Sequence, residues 1–368
     1  MSKYIYQKTE WPKFHWDQSA IAPQLAAVRH RQGRLFGRMA GLGFAQRDAA
    51  ILGTLTSEVI KSSEIEGEIL NAQQVRSSVA RRLGLEVAGL VPSDRRVDGV
   101  VEMALEAAQN YDKPLTQERL FRWHAQLFPQ GGGKAGEMRI GAWRDDAKGP
   151  MQVVSGAIGR ERVHFQAPPA ERLPAEMTAF LYWANRPADE DPVLRAAIAH
   201  LWFVTVHPFD DGNGRIARAI ADWALASAEA SPLRFYSMSA QIRKERDKYY
   251  DLLEETQKGG LDITPWLQWF LGCLDRAIEG AELSLAAVFE KDLFWKNCAQ
   301  LELNGRQRLM INKLLDGFDG KLTSTKWAKI SGCSQDTAQR DIVELIVKGI
   351  LVKDQAGGRS TSYSLKKS

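Results

Sequence analysis

HPFDDGNGRIAR, residues 207–218, packs a histidine, two aspartates, an asparagine between glycines and two arginines into twelve positions. Gly212 and Gly214 can take backbone angles that other residues avoid, so successive N–H groups can point at one anion. A helix beginning near Gly214 and Arg215 would turn its positive end toward the same place. Arg215 and Arg218, three apart, would share a helix face and offer forked donors to phosphate oxygens. Asp211 can hold a magnesium ion that bridges phosphates. His207, with an ordinary pKa of about 6.5, suits a general base at neutral pH. Phe209 reads as the anchor of the loop in the core. Base, metal carboxylate, anion cradle and cationic clamp are together the parts of a phosphate-ester transfer. A helix–loop–helix corner with a packed histidine would explain any one of these residues, but packing does not require the ordered set. A metal pair of His200 and His207 is disfavoured, because seven residues separate them where helical zinc sites use four.

Outward from this corner, helical periodicity dominates. Asp191 and Pro192 suit the N-cap and first turn of a helix that Pro208 stops near His207. Upstream, helices are predicted over about 18–40, 46–69, 98–110 and 116–128, with 85–95 as a loop and QGGGKAG as a flexible link. Asn71 with Gln74 resembles a capping box for a helix that Gly84 ends. MQVVSGAIGRERVHF, residues 151–165, predicts a β-hairpin. Downstream, a single helix is predicted over 239–257 and another from TPWLQWFL; beyond a boundary near 285–300 the pattern reads helix, turn, helix, strand and a glycine-containing wing.

The chain has 368 residues, 44% apolar and 26% charged, with a net charge of +4, a soluble composition sufficient for two or three domains. No apolar run reaches membrane-spanning length, the first residues carry no signal-peptide core, and Cys273, Cys298 and Cys333 lack paired or metal-site spacing. A reduced, cytoplasmic protein is expected. Residues 301–368 hold eight Lys and four Arg against seven acidic residues, a net +5, so the remainder is near neutral. Such a tail permits nucleic-acid contact without establishing it.

HPFDDGNGRIAR matches the Fic (Fido) family motif HPFx(D/E)GNGRxxR at every fixed position. RAAIAHLWFVTVHPF resembles the helix before that motif, GAWR and the 151–165 hairpin resemble the flap that positions targets, and KERDKYYDLLEETQKG with DITPWLQWFL resembles the helices closing the nucleotide pocket. The resemblance implies a mainly α fold. A helical N-terminal region would cover 1–95, a Fic core with its hairpin flap 96–285, and a winged helix-turn-helix 286–368. It implies that His207 activates a target hydroxyl and that Asp211 binds Mg2+. Gly212, Asn213 and Gly214 would form the anion hole for the α- and β-phosphates of ATP, and Arg215 and Arg218 would hold the distal phosphates. Tyr250 and Gln257 would sit near the nucleoside, and the hairpin edge near Val153 and Val154 would take a target backbone as an extra strand. The implied activity is transfer of AMP to a Ser, Thr or Tyr hydroxyl of a target protein, or of the chain itself, with release of pyrophosphate. The implied assembly is a homodimer.

SSEIEG, Ser62–Gly67, matches the family's inhibitory pattern (S/T)xxxE(G/N). On the helix predicted over 46–69, Ser62 and Glu66 project from one face. The family implies that Glu66 pairs with Arg218 and denies it to the γ-phosphate. The opening YIYQKTEWPKFHWD resembles the region found before bacterial Fic cores; as residues alone it is an aromatic cluster for packing. In the tail, Gln335, Thr337, Gln339 and Arg340 would face a DNA major groove with Arg359 on the wing; dimerisation and protein docking stay open there. Two rival functions also stay open. The same site would serve removal of AMP or another phosphate-ester transfer, or the core would sense nucleotide and gate a DNA-binding tail.

Overall fold

The computed structural model describes residues 3–366 apart from 88, 130–137, 157–159, 161, 188–189, 316, 319 and 355–360. The chain forms two compact units, Met1–Leu283 and Ser284–Ser368. The fold is mainly α, with one small antiparallel hairpin in each unit among the described residues.

The first unit is ordered α1 (Gln18–Ala40), α2 (Phe44–Ile65), α3 (Ala72–Arg82), α4 (Arg95–Gln109), α5 (Gln117–Leu127), β1 (Gln152–Ser155), β2 (Arg162–Gln166), α6 (Leu173–Asn185), α7 (Pro192–Val206), α8 (Asn213–Glu229), α9 (Met238–Lys244), α10 (Arg246–Lys258) and α11 (Thr264–Ser284). At its centre lies α7, buried on almost every side, as its near-unbroken apolar sequence requires. Asp191 caps it by accepting from the Val193 N–H at 2.8 Å, with Pro192 in the first turn. It packs along α8, and Ile216, Ile220 and Trp223 of α8 are buried. Close approach of α4 and α5 depends on Gly99, where a Cβ would lie 1.9 Å from the Gln126 carbonyl oxygen.

Three boundaries differ from expectation. The first involves α2, which ends at Ile65, not 69. Gly67 adopts φ +80, and the Glu68 N–H donates to the Ser63 carbonyl while the Gly67 N–H donates to that of Glu64. That is a Schellman turn, which glycine's left-handed conformation closes. The helix predicted over 239–257 is two helices, α9 and α10, meeting at Glu245, whose carboxylate is drawn to Arg276 of α11 at 2.6–2.7 Å. At α4, capping by Asp94 starts the helix at Arg95, three residues early. The capping box at α3 is half-formed: Asn71 accepts from the Gln73 and Gln74 N–H groups, but the Gln74 side chain turns to the Asp94 N–H. QGGGKAG lies outside the described residues.

The N-terminal aromatics pack on the hairpin and on α7. Tyr4 and Tyr6 meet Phe165 of β2 at 5.1 and 6.1 Å between ring centroids, and Trp11 and Phe14 meet Trp202. The opening segment therefore braces the flap.

The second unit runs α12 (Ala286–Asn297), α13 (Gly305–Leu315), α14 (Ser324–Ser331), α15 (Gln335–Val347), β3 (Leu351–Lys353) and β4 (Tyr363–Leu365). Gly332, at φ +64, turns α14 into α15, and Ser334 caps α15. Its core gathers Met310, Ile311, Trp327, Ile342, Leu345 and Leu351. No helix among the described residues is long and apolar enough to cross a membrane.

Candidate functional site

Between α7 and α8 the chain reverses in the loop 207–212. His207 ends α7 with φ +52, and Gly212 enters α8 with φ +81 and no side-chain cap, its N–H donating to Asp211 Oδ1 at 2.5 Å, so that the positive end of α8 faces the loop. A Cβ at Gly212 would press Leu127 at 3.0 Å and Phe128 at 3.2 Å. Asn213 is buried and spends its amide on the loop itself, accepting from the Phe209 N–H at 3.0 Å and donating to the Phe209 carbonyl at 2.7 Å. Its side chain therefore fixes the curve of the loop and leaves only its backbone for any anion. Phe209 is fully buried, as expected.

Two residues not singled out from the sequence hold this loop. His124 of α5 stacks on Phe209 at 4.2 Å, accepts from the Gly141 N–H at Nδ1 (3.0 Å) and donates from Nε2 to the Asp211 carbonyl (3.2 Å). One donor and one acceptor require the neutral ring, and burial lowers its pKa to about 4. Arg144, the last residue of GAWR, is buried and donates to the carbonyls of His207 (2.8 Å) and Pro168 (2.6 Å) and to Asp146 (2.7 Å).

His207 Nδ1 lies 3.1 Å from the Val204 carbonyl, which can only accept, so the proton sits on Nδ1 and Nε2 keeps its lone pair. Burial, then the charge of Arg144, lowers its pKa to about 4. The imidazole is therefore neutral across the physiological range. It lines a cleft of about 640 Å3, as do Asp211, Gly212, Asn213 and Gly214. The hairpin's Val153 and Val154, Tyr250 and Gln257 of α10, and Glu66 also line it. Val154 is exposed and Gln257 is buried, donating to Thr205 Oγ1 at 3.3 Å. The structure thus gathers most of the expected site residues around one cavity of ligand size.

Both motif arginines, by contrast, are buried beneath the cleft wall and already engaged. Arg218 donates from Nη1 to Glu66 Oε1 at 2.8 Å, from Nε to Ser62 Oγ at 3.0 Å and from Nη2 to the Ser62 carbonyl at 2.8 Å. Tyr250, expected near a nucleoside, donates to the other Glu66 oxygen at 3.2 Å. Burial opposes ionisation of Glu66, but the Arg218 charge outweighs it and holds the carboxyl below its ordinary range. Arg215 donates to Glu68 Oε2 at 2.6 Å and lies over the Phe128 ring at 5.2 Å. Glu68 also pairs with Arg96 at 2.5 Å. Ser62 and Glu66 do converge, though not as neighbours on one helix face: Glu66 is the C-cap residue, and the turn at Gly67 brings Glu68 to α8 as well. At Gly214 a Cβ would stand 2.2 Å from Glu66 Oε1, so glycine there admits the carboxylate to the first turn of α8.

Among the described residues no group of three or more His, Cys, Asp or Glu could cage a metal. Asp211, its side chain 63% exposed at the cleft, fits instead a hard divalent ion that takes its other ligands from phosphates and water.

A family model described as Fic/DOC family matches residues 114–225, the segment that contains α5, the hairpin, α7, the loop and most of α8. The chain carries a Fic/DOC domain. A second family model, described as a domain of unknown function (DUF4172), matches residues 4–85, which include the flap-bracing aromatics and the segment bearing Glu66 and Glu68. The relative named protein adenylyltransferase Fic from Culex quinquefasciatus is 26% identical over 246 residues, covering 65% of this chain and 43% of that protein. The uridine 5'-monophosphate transferase of Xanthomonas campestris is 31% identical over 122 residues, 30% of this chain and 21% of that protein. The chain spans less than half the length of either relative. A crystal structure of a Fic family protein from Desulfovibrio desulfuricans G20 shares the fold, with a TM-score of 0.58 at 22% identity over 96% of this chain and 98% of that one.

In the second unit, Gln335 and Arg340 are exposed on α15. Thr337 is committed to the cap of its own helix, its hydroxyl 2.9 Å from Ser334 Oγ, and Gln339 donates to the Tyr363 hydroxyl at 3.4 Å. Arg359 lies outside the described residues.

Proposed function

We propose that this chain transfers AMP from ATP to a hydroxyl group of a protein, releasing pyrophosphate, and that Glu66 restrains the reaction. The observation carrying this reading is the neutral His207, its Nε2 free, beside the glycine-framed start of α8 in one cleft. In the proposed reaction His207 Nε2 takes the proton of the attacking hydroxyl as that oxygen bonds to the α-phosphorus. Backbone N–H groups at Gly212–Gly214 hold the phosphate oxygens. Asp211 would hold Mg2+, which when bound neutralises phosphate charge. Arg218 and Arg215 would reach the distal phosphates only after leaving Glu66 and Glu68. A target backbone would add to the edge of β1 at Val153 and Val154.

The name of the Xanthomonas relative supports a second donor, UTP, in the same cleft. Incubation of the Glu66→Gly chain with a candidate target and α-labelled or γ-labelled ATP or UTP tests both readings. Covalent label on the target from the α position of one nucleotide, abolished by His207→Ala, is expected; label from the γ position only refutes nucleotidyl transfer. For the second unit, the helix–turn–helix of α14 and α15 and the basic tail support a winged-helix contact with DNA. Its own promoter DNA, titrated with the full chain at several salt concentrations, is the corresponding test.

A further inference from the structure

Strand β2 carries one residue more than β1 can pair. Val153 faces Phe165 and Val154 faces Val163, which leaves His164 as the bulged residue. A bulge re-aims a side chain, and here the imidazole bridges the hairpin to α10. Its Nδ1 lies 2.5 Å from Glu254 Oε2 and its Nε2 lies 2.6 Å from Ser155 Oγ. The other carboxylate oxygen, Glu254 Oε1, accepts from Arg162 at 3.1 Å and Lys258 at 2.5 Å. Burial works against the charge, but hydrogen bonds from Lys258, His164 and Arg162 hold the Glu254 carboxyl down at about 2. An ionised carboxylate only accepts, so the His164 proton sits on Nδ1, and in the neutral ring Nε2 accepts from the Ser155 hydroxyl.

Hydroxyl, imidazole and carboxylate in this order turn a serine into a nucleophile. Ser155 is exposed at the end of β1, next to Gly156 at φ +106, and it lines the same cleft as His207, Gly212 and Gly214. A nucleotide held in that cleft would offer this serine a phosphorus as electrophile.

We propose that Ser155 is a built-in acceptor, a nucleotidylation site on the chain's own flap served by His164 and Glu254. This rests on the nucleotidyl transfer proposed above. Ser155 Oγ bonds to the α-phosphorus of ATP, the bond from that phosphorus to the bridging oxygen breaks, and pyrophosphate leaves. The hydroxyl proton passes to His164 Nε2, and the resulting imidazolium stays paired with Glu254. The product is an AMP ester at the flap edge, where a target strand would otherwise pair.

The test uses the full chain with Glu66→Gly, incubated with Mg2+ and α-labelled ATP, digested and mapped by mass spectrometry. AMP is expected on the peptide containing Ser155, lost with Ser155→Ala and regained with Ser155→Thr. His164→Gln should slow labelling at Ser155 at least tenfold. Label elsewhere on the chain with Ser155 unmodified overturns the inference and leaves the transfer reading standing. No label on the chain or on any added target overturns the transfer reading. Labelling of Ser155 at an unchanged rate in His164→Gln overturns the relay.

Discussion

Replacing Glu66 by glycine separates a restraining contact from a merely structural one, because the two readings give different pairs of results. The variant deletes the Nη1 contact of Arg218 and the exposed Tyr250 hydrogen bond at 3.2 Å, and leaves the two hydrogen bonds of Arg218 to Ser62 at 3.0 and 2.8 Å. A hydrogen bond between charged groups contributes about 1.5–3 kcal/mol. The Glu66 side chain is 31% exposed, which favours the lower part of that range, about 2 kcal/mol. The backbone adds little, since Gly67 already supplies the left-handed turn and position 66 is a cap. For a unit of this size the loss corresponds to roughly 3 °C in Tm.

In the proposed reaction a triphosphate overcomes the same 2 kcal/mol to claim Arg218, so freeing the arginine should raise the transfer rate about 30-fold. Initial rates of label incorporation from α-labelled ATP, alongside thermal unfolding without nucleotide, give both quantities on one preparation. A lower Tm with a faster reaction is expected. A lower Tm with an unchanged rate would show that the pair is structural only. An unchanged Tm and rate would refute the ion pair itself.

Adding Glu68→Gln to Glu66→Gly should free Arg215 and tighten ATP binding about tenfold over the single variant, read by calorimetry. The base form of His207 is lost only as pH falls through about 4, and removing Glu66 takes away a charge that raises this pKa. The rate of the Glu66→Gly chain should therefore hold well below pH 6.5, and an acid limb centred near 6.5 would refute the assignment. His200 is buried with its pKa lowered to about 3 by burial and then Arg218, so the unfolded chain binds its proton first as pH falls. Stability should drop by about 2 kcal/mol from this residue between pH 7.5 and pH 5, and His200→Asn should flatten that part of the curve measured by denaturant titration.

The shape of the loop at 207–212 was legible because its requirements are local: a proline to stop α7 and glycines to turn the chain, with a histidine and an aspartate beside them. The segment Ser62–Gly67 was legible as a pattern but not as a shape. Ile65 and Ile69 are spaced like neighbours on a helix, yet Ile69 is 89% exposed, because Gly67 has already turned the chain away. That turn carries Glu68 to Arg215, a pairing that depends on a backbone conformation at one residue and on contact across 147 positions of sequence. His124 and Arg144 were hidden for the same reason. Each looks ordinary in its own segment and acquires a role only when the fold brings it to the loop.

These placements also bear on how release would work. The two carboxylates facing the motif arginines leave α2 on one Schellman turn, whereas the loop holding His207 is fixed separately by His124, Asn213 and Arg144. Unwinding the last turn of α2 would free both arginines without disturbing His207, Gly212 or Gly214. In the proposed reaction, a signal acting on that turn therefore changes the grip on phosphate and leaves the chemistry at His207 ready.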